Sequence, residues 1–455
     1  MLDTSTPRNV TICGAGLAGS LLALLLAQRG FAVRLYERLG DLRHETIPAG
    51  RSINLALAAR GIHALTLAGV MPAVKPLLIE MPGRMLHDLA GAQTFLPYGQ
   101  DASEVIYSVS RPGLNAILLD AAANAGVQIA FRHSVLTANF AAREALIHDG
   151  VGGKTFPIPL ERVIGADGAG SQLRHALVTA LHVEHSEDLL EHGYKELTIP
   201  PDAQGNHRIE PHALHIWPRG AFMLIALPNT DGSFTATLFL PHRGDESFAT
   251  LTAPAEVRRF FERHFPDALS LMPDIATEFI QRPTGIMGTV RCARWAVDSD
   301  LLLIGDAAHA ITPFHGQGMN CALEDCAQLA ALLAGNDDWS EVFARFERLR
   351  RPNTDAIARM AIENYLEMRD TVRDPKFQLQ KSLSLELERR FPGRFIPRYS
   401  MVMFHARIPY AVAYERGRQQ AQILGRLTEH ADSLEDIDWQ LAATLIDATL
   451  ERLLI

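Results

Sequence analysis

Short apolar runs that change period open the chain. Val10-Thr-Ile-Cys13 is a β-branched run, followed by a glycine-rich turn, a helical pattern from Leu17 to Arg29 and a second strand-like run from Ala32 to Tyr36. This order predicts a β-α-β unit. Segments 51–57 and 81–95 follow, then a helical stretch from Leu114 to Ala125 and a buried strand that starts at Val163 and ends in a loop at Gly170. Between His212 and Pro241 the texture changes. Apolar runs alternate around Pro-Arg-Gly and Asn-Thr-Asp-Gly-Ser, which predicts an antiparallel meander. Leu301 to Ile304 returns to a buried strand, entering a glycine-containing loop and a helix from Met319 to Ala334. The remainder is predicted largely helical, interrupted between Pro392 and Pro397, with an amphipathic helix from Asp438 to Ile455.

At 455 residues the chain exceeds one ordinary core, so two associated domains are expected. A composition of 47% hydrophobic and 21% charged residues is that of a folded globular protein. The net charge of −9 argues against a nucleic-acid partner, because phosphate binding calls for a basic excess. Cys13, Cys292, Cys321 and Cys326 form no CxxC pair and no metal-type spacing with histidine, so no metal site is expected. They read as buried thiols in a reducing compartment. The apolar run Leu21 to Ala27 is too short to span a bilayer, and the terminal segment carries Asp447, Glu451 and Arg452 among its leucines. A cytoplasmic protein with no membrane span is expected. Its terminal helix is expected to pack on the protein or on a second subunit, which leaves a homodimer open.

Cys13-Gly14-Ala-Gly16-Leu17-Ala-Gly19 fits GxGxxG. The first glycine makes the tight turn, the second lets a pyrophosphate approach, and the third permits close helix packing. Glu37 ends the next strand, where a carboxylate can accept ribose hydroxyls, and Arg38 adjoins it. Strand, loop, helix and acid together predict an adenine dinucleotide, and at this point NAD and FAD both fit.

Two later segments favour flavin. Leu301-Leu-Leu-Ile-Gly305-Asp306 puts an aspartate at the end of a buried strand, where it can hydrogen-bond a ribityl chain. Pro313-Phe314-His315-Gly316-Gln317-Gly318-Met319-Asn320 removes two side chains and starts a helix, whose N-terminus would favour negative charge on a reduced flavin. With Gly165-Ala-Asp167-Gly168 as a third element, the chain resembles the single-component flavoprotein aromatic hydroxylases, in which a GxGxxG loop, a DG motif and a GD motif occur in this order. The resemblance narrows to the kynurenine 3-monooxygenase family at Gly50-Arg-Ser-Ile-Asn-Leu-Ala56-Leu, Tyr107-Ser-Val-Ser-Arg111 with Leu114-Asn115, and Pro313 to Asn320, and runs to about residue 400.

That resemblance implies an α/β fold: a Rossmann-like FAD-binding domain (1–75, 105–180 and 285–345), an inserted antiparallel-sheet substrate domain (76–104 and 181–284), and a helical C-terminal region (346–455). Non-covalent FAD would be held by Gly14, Gly16, Leu17, Gly19, Glu37, Arg38, Ala56, Arg111, Leu136, Asp306, Gly318, Met319 and Asn320. Asp167, the DG aspartate, is linked in the family to both FAD and NADPH handling. The substrate carboxylate would be held by Arg84, Tyr98, Asn364 and Tyr399. A guanidinium matches a carboxylate with its planar fork. An apolar slot for the aromatic ring is expected from the meander, where Met223, Ile225 and Leu227 share one face by the period-two rule, joined by Leu214 and Phe239. Phe314 and His315 would close it, His315 either bonding substrate or satisfying its own loop.

The implied reaction is hydroxylation of L-kynurenine to 3-hydroxy-L-kynurenine with NADPH and O2 through a flavin C4a-hydroperoxide, in tryptophan catabolism or quinolinate and NAD biosynthesis. Only one dinucleotide fingerprint is present, so NADPH is expected to dock transiently. The aniline nitrogen already activates the ring, and no catalytic acid or base is assigned. Two rivals stand beside this reading: a hydroxylase of the same fold acting on another aromatic in secondary metabolism, and a flavin-binding redox scaffold without oxygenase activity.

Overall fold

A computed structural model describes residues 8–45, 54–367 and 374–453. Gly50, Arg51, Ser52 and Ile53 of the quoted motif, and Leu454 and Ile455 at the terminus, lie outside the described residues. The chain divides into two compact units. The first comprises the N-terminal segment to Leu78 with Val109–Leu190 and Met287–Asp355; the second comprises Ile79–Ser108, Glu191–Ile286 and the chain from Ala356 onward.

In the first unit a six-stranded sheet runs in the order Ala296–Val297, Leu301–Leu303, Val163–Gly165, Asn9–Cys13, Ala32–Glu37, Gln128–Phe131, parallel except at its first pair. Val163-Ile-Gly and Leu301-Leu-Leu are continuously apolar because central parallel strands are covered on both faces. Cys13 pairs with Tyr36 and with Gly165, and Gly165 with Leu303. Three loops therefore leave the same end of three adjacent strands: Gly14 onward, Ala166 to Gly168, and Ile304 to Asp306. The helix Leu17–Ala27 is buried almost all round between the helices Arg111–Asn124 and Gly318–Leu332, and the Cys326 thiol donates to the Ala18 carbonyl at 3.2 Å. A separate three-stranded antiparallel sheet, His133–Asn139, Glu144–Asp149 and Lys154–Pro159, was not anticipated from the sequence. All four cysteines are free and buried.

Some predicted boundaries move, and the terminal helix expected from Asp438 spans Trp439–Thr449. The helix expected from Leu114 starts at Arg111, because the Ser110 hydroxyl accepts from Gly113 N at 3.2 Å and Pro112 suits the first turn.

A seven-stranded sheet, most of whose residues belong to the second unit, runs Gly285–Cys292, His185–Ile199, Phe234–Pro241, Met223–Pro228, Leu214–Pro218, Gly83–His87, Gln93–Pro97. Alternation divides its residues cleanly. Leu197, Ile199, Trp217, Leu224, Ala226, Ala236, Leu238 and Leu240 face a core with Phe260 and Phe261 from the helix Pro254–His264, Phe265 at its end, Ala268 from Pro266–Leu271 and Phe279 from Ile275–Gln281. Each buried phenylalanine contributes about 1.5–3 kcal/mol. The opposite face carries Arg84, Leu214, Met223, Ile225, Leu227 and Phe239, with Met223 paired to Phe239 and Leu214 to Arg84. The C-terminal helices, from Pro375–Arg390 through Tyr410–Thr428 to Trp439–Thr449, share a core of Leu383, Leu387, Phe395, Ile423, Leu427 and Ile446. Leu453 N donates to the Gly393 carbonyl at 2.8 Å, which ties down the terminal segment. Among the described residues no helix is long and apolar enough to cross a membrane.

Candidate functional site

The nucleotide loop separates its glycines by task. Gly14 has φ +104°, and a Cβ there would stand 2.3 Å from the Ala166 carbonyl oxygen; at Gly19 it would stand 1.8 Å from that of Gly14. Both are required by the fold itself. At Gly16 a Cβ would meet nothing within 4 Å, so the absent side chain leaves room for a ligand rather than for packing. The helix behind it has no side-chain cap and no acid in its first turn, which leaves its N–H groups suited to phosphate. The intervening Ala15 peptide is held from both ends. Its carbonyl accepts from Ser20 Oγ at 3.0 Å and Asn115 Nδ2 at 3.1 Å, and its N–H donates to Glu37 Oε2 at 2.8 Å. Glu37 Oε1 accepts from Leu39 N at 2.9 Å. The carboxylate thus clips the loop to the strand end while each oxygen keeps a lone pair for a ribose hydroxyl. Leu17 is buried in the helix and Arg38 is exposed.

Asp167 turns out to cap a helix. Its oxygens accept from Ser171 Oγ at 2.6 Å and Gln172 N at 2.8 Å, while burial pushes its carboxyl up against those bonds. Arg174, from the helix so capped, donates to the Ala307 carbonyl at 2.9 Å and joins the second loop to the third. In that third loop Gly305 has φ +56°, and Asp306 stands exposed with no ion-pair partner among the described residues. Arg111 is half-buried and likewise without an ion pair among them.

The turn Pro313–His315 buries Phe314 and His315, Gly316 follows at φ +65°, and the helix Gly318–Leu332 begins without a side-chain cap. Asn320, fully buried, accepts from Ala58 N at 2.8 Å and donates to the Ala56 and Gly316 carbonyls, both at 2.9 Å. Its side chain is spent on backbone and fastens the strand Asn54–Leu57, which carries Ala56, to the loop. Met319 is half-buried beside it. Leu136 lies on the three-stranded sheet and is 44% exposed.

Sequence reasoning passed over a buried set of charges in this unit. Glu324 accepts from Arg60 and Arg350, at 2.7 and 2.6 Å, and Asp325 accepts from Arg350, His309 and Gly305 N. The signal was two adjacent acids inside the otherwise apolar helical run Cys321-Ala-Leu-Glu-Asp-Cys326. His309, Cys321 and Asp325 bring ligand-type atoms within 4.8 Å of one another. Asp325 already carries three donors there, however, and burial pushes the Cys321 thiol well up, so this cluster reads as an ion-pair network.

In the second unit the strand pair Gly83–His87 and Gln93–Pro97 places Arg84 opposite Leu96, and Tyr98 N donates to the Pro82 carbonyl at 3.0 Å. The Arg84 guanidinium stands over the rings of Tyr98 and Tyr399, at 5.3 and 4.9 Å, and those rings stack at 5.4 Å. Tyr399 comes from the helix Arg398–Met403, anchored by an Arg398–Glu363 ion pair. Arg84 Nε and the Tyr98 hydroxyl are shielded from solvent and make no hydrogen bond among the described residues. Burial pushes the Tyr98 hydroxyl well up, so it is a neutral donor at neutral pH. Buried donors on a guanidinium that makes no ion pair among the described residues, though Glu367 lies within reach of its charge, fit an anionic ligand group. Asn364 is buried on the helix Trp339–Leu366, next to Tyr365, whose ring meets His192 at 5.5 Å.

Residues 8–348 match the family described as FAD binding domain. The kynurenine 3-monooxygenase of Xanthomonas campestris pv. campestris (strain 8004) is 48% identical over 453 residues, covering 100% of this chain and 99% of that one. The chain belongs to the kynurenine 3-monooxygenase family. A second member, from Xanthomonas oryzae pv. oryzae (strain KACC10331 / KXO85), is 48% identical over 452 residues, 99% of each chain. Like other kynurenine 3-monooxygenase family members the protein is an FAD-dependent monooxygenase. Solved structures share the fold at low identity. A tetrameric form of 2-methyl-3-hydroxypyridine-5-carboxylic acid oxygenase has TM-score 0.65 at 19% identity, over 82% of this chain and 95% of that one. PqsL of P. aeruginosa, in complex with 2-aminobenzoylacetate, has TM-score 0.64 at 19% identity, over 80% and 97%. The residues present fit FAD: open space at Gly16, lone pairs on Glu37, Asp306 and Arg111 without ion pairs among the described residues, and two helix N-termini without side-chain caps.

Proposed function

We propose that this enzyme is a cytoplasmic L-kynurenine 3-hydroxylase, in which kynurenine, NADPH, a proton and O2 give 3-hydroxykynurenine, NADP+ and water. The observation that carries the reading is 48% identity along the whole chain to relatives bearing that name. Bound FAD supplies the hydride-accepting and oxygen-activating chemistry. On the protein side, Gly16, Glu37, Arg111 and Asp306 hold the cofactor. Arg84 receives the substrate carboxylate, with the neutral Tyr98 hydroxyl and the Tyr399 ring beside it. Leu214, Met223, Ile225, Leu227 and Phe239, on the same sheet face as Arg84, offer the apolar slot. Fixing the carboxylate and the ring on one rigid sheet sets the ring's orientation, which is the main task left to the protein. No general base is needed, because the aniline nitrogen already enriches the ring position to be hydroxylated.

The test is mass analysis after incubating purified protein with L-kynurenine, NADPH and O2. A product heavier by one oxygen, hydroxylated at ring position 3, is expected. NADPH consumption yielding only hydrogen peroxide would remove kynurenine as the substrate.

A further inference from the structure

The helix Gly318–Leu332 carries two fasteners five residues apart, about 7.5 Å along its axis. Asn320 ties down the strand bearing Ala56 and the Gly316 turn. Asp325, with no exposed surface, accepts from Gly305 N at 2.9 Å and His309 Nε2 at 2.6 Å on one oxygen, and from Arg350 Nε at 2.7 Å on the other. Gly305 is the residue immediately before Asp306, and it holds an unusual backbone, φ +56° and ψ −143°. Few residues adopt such a conformation unaided. A short turn that leaves Asp306 exposed and unpaired must therefore be held by something beneath it.

We propose that Asp325 is a positioning residue for the cofactor: its buried carboxylate fixes the Gly305 peptide, and through it the Asp306 carboxylate, before FAD arrives. Burial alone would raise the Asp325 carboxyl, and His309 and Arg350 outweigh that and hold it low, so the acceptor is an anion. Glu324 is the neighbouring acid of the same network. It reaches Arg60 and Arg350 and touches neither Gly305 nor Asp306. The two acids therefore differ in one respect that an experiment can read.

In Asp325→Asn the amide can satisfy only one side. Donors converge on both oxygens, so the NH2 must face a donor in either orientation. FAD dissociation from the holoenzyme, followed as fluorescence recovery on dilution, should accelerate about tenfold or more. The visible circular dichroism of the bound flavin should change with it. Glu324→Gln breaks the same network and should lower Tm comparably, with FAD dissociation within about twofold of the unsubstituted protein. Equal acceleration in both variants would make the network a stabiliser of the fold and nothing more. No acceleration in either would overturn the proposal as directly. If Asp325→Asn does not accumulate as folded holoenzyme, Asp325→Glu decides by the same comparison, because it keeps the charge and displaces it from the Gly305 amide.

Discussion

A single methyl group distinguishes two kinds of glycine in the nucleotide loop. Gly19→Ala would drive a Cβ to 1.8 Å from the Gly14 carbonyl oxygen, and overpacking against backbone costs about 1–3 kcal/mol or more. Gly16→Ala meets open space. Without FAD its Tm should hold within a couple of degrees of the FAD-free unsubstituted protein, corresponding to a change of about 0.5 kcal/mol or less, while FAD affinity falls because the methyl occupies the approach of the pyrophosphate. Thermal melts and flavin titration of both variants check this, and equal loss of Tm would refute the distinction. Arg84→Ala acts elsewhere: the KM for kynurenine should rise about 50- to 100-fold, as expected for losing a buried charge-assisted bond, with FAD content unchanged. An unchanged KM would remove Arg84 from the carboxylate site. The loop glycines and Glu37 stood out in the sequence because their chemistry is carried by residue type and spacing, whereas Arg84 was reached only through the family resemblance. The tasks of Asn320, Asp325 and Asp167 were not, since each depends on which backbone atom the fold brings to the side chain.

At the scale of elements, the strands of the meander could be read from alternation, since one face is apolar core and the other is the proposed substrate face. The helices from Pro254 to Gln281 escaped reading because they are short and restart at Pro266. Their contact with the sheet includes a polar chain that alternation cannot show. Asp267 Oδ2 meets His87 Nδ1 at 3.0 Å and Trp217 Nε1 at 2.7 Å, His87 Nε2 meets His215 Nδ1 at 2.8 Å, and His215 Nε2 meets the Glu210 carbonyl at 2.8 Å. Burial, aided by His87, lowers the His215 pKa from its ordinary 6.5 to about 4. The unfolded chain therefore takes up a proton at His215 that the folded chain refuses between those values. Stability is complete above pH 6.5 and falls as the pH drops toward 4, by about 2 kcal/mol at pH 5. Asp267 is held low, burial being outweighed by the bonds from His87 and Trp217, so its own loss begins as the pH falls through the ordinary value of 3.8 and is complete only below that. Urea unfolding at pH 7 and pH 5 should show the difference, and His215→Gln, which does not titrate, should flatten it. A slope unchanged by that substitution would assign the acid sensitivity to another group.

For the whole molecule, the FAD-binding character was plain in three short motifs and the family resemblance implied a domain of three separated segments, whereas the order of their strands came only with the structure. Strands at residues 9–13, 163–165 and 301–303 lie side by side although well over a hundred residues separate each from the next in sequence. The loops at their ends stand together, joined by links such as those of Arg174 to the Ala307 carbonyl and Ala166 N to the Cys13 carbonyl. FAD would add contacts to Gly16, Glu37, Arg111 and Asp306 at once, so it should bind the folded chain and leave the unfolded one alone. Under that linkage stability rises by about 2.7 kcal/mol when free FAD stands at 100 times its Kd, and by about 1.4 kcal/mol for each further tenfold. Removing FAD should lower Tm, and restoring it in steps should raise Tm with the logarithm of its concentration, without saturating once the site is filled. A Tm that never rises would mean that the folded and unfolded chains bind FAD alike, or that the transition being followed does not involve the first unit. Probing that transition by tryptophan emission can tell these apart, because Trp295 and Trp339 lie in the first unit and Trp217 and Trp439 in the second. Gly16→Ala supplies the matching control: its melt should resemble that of the stripped protein and respond to added FAD only at far higher concentration.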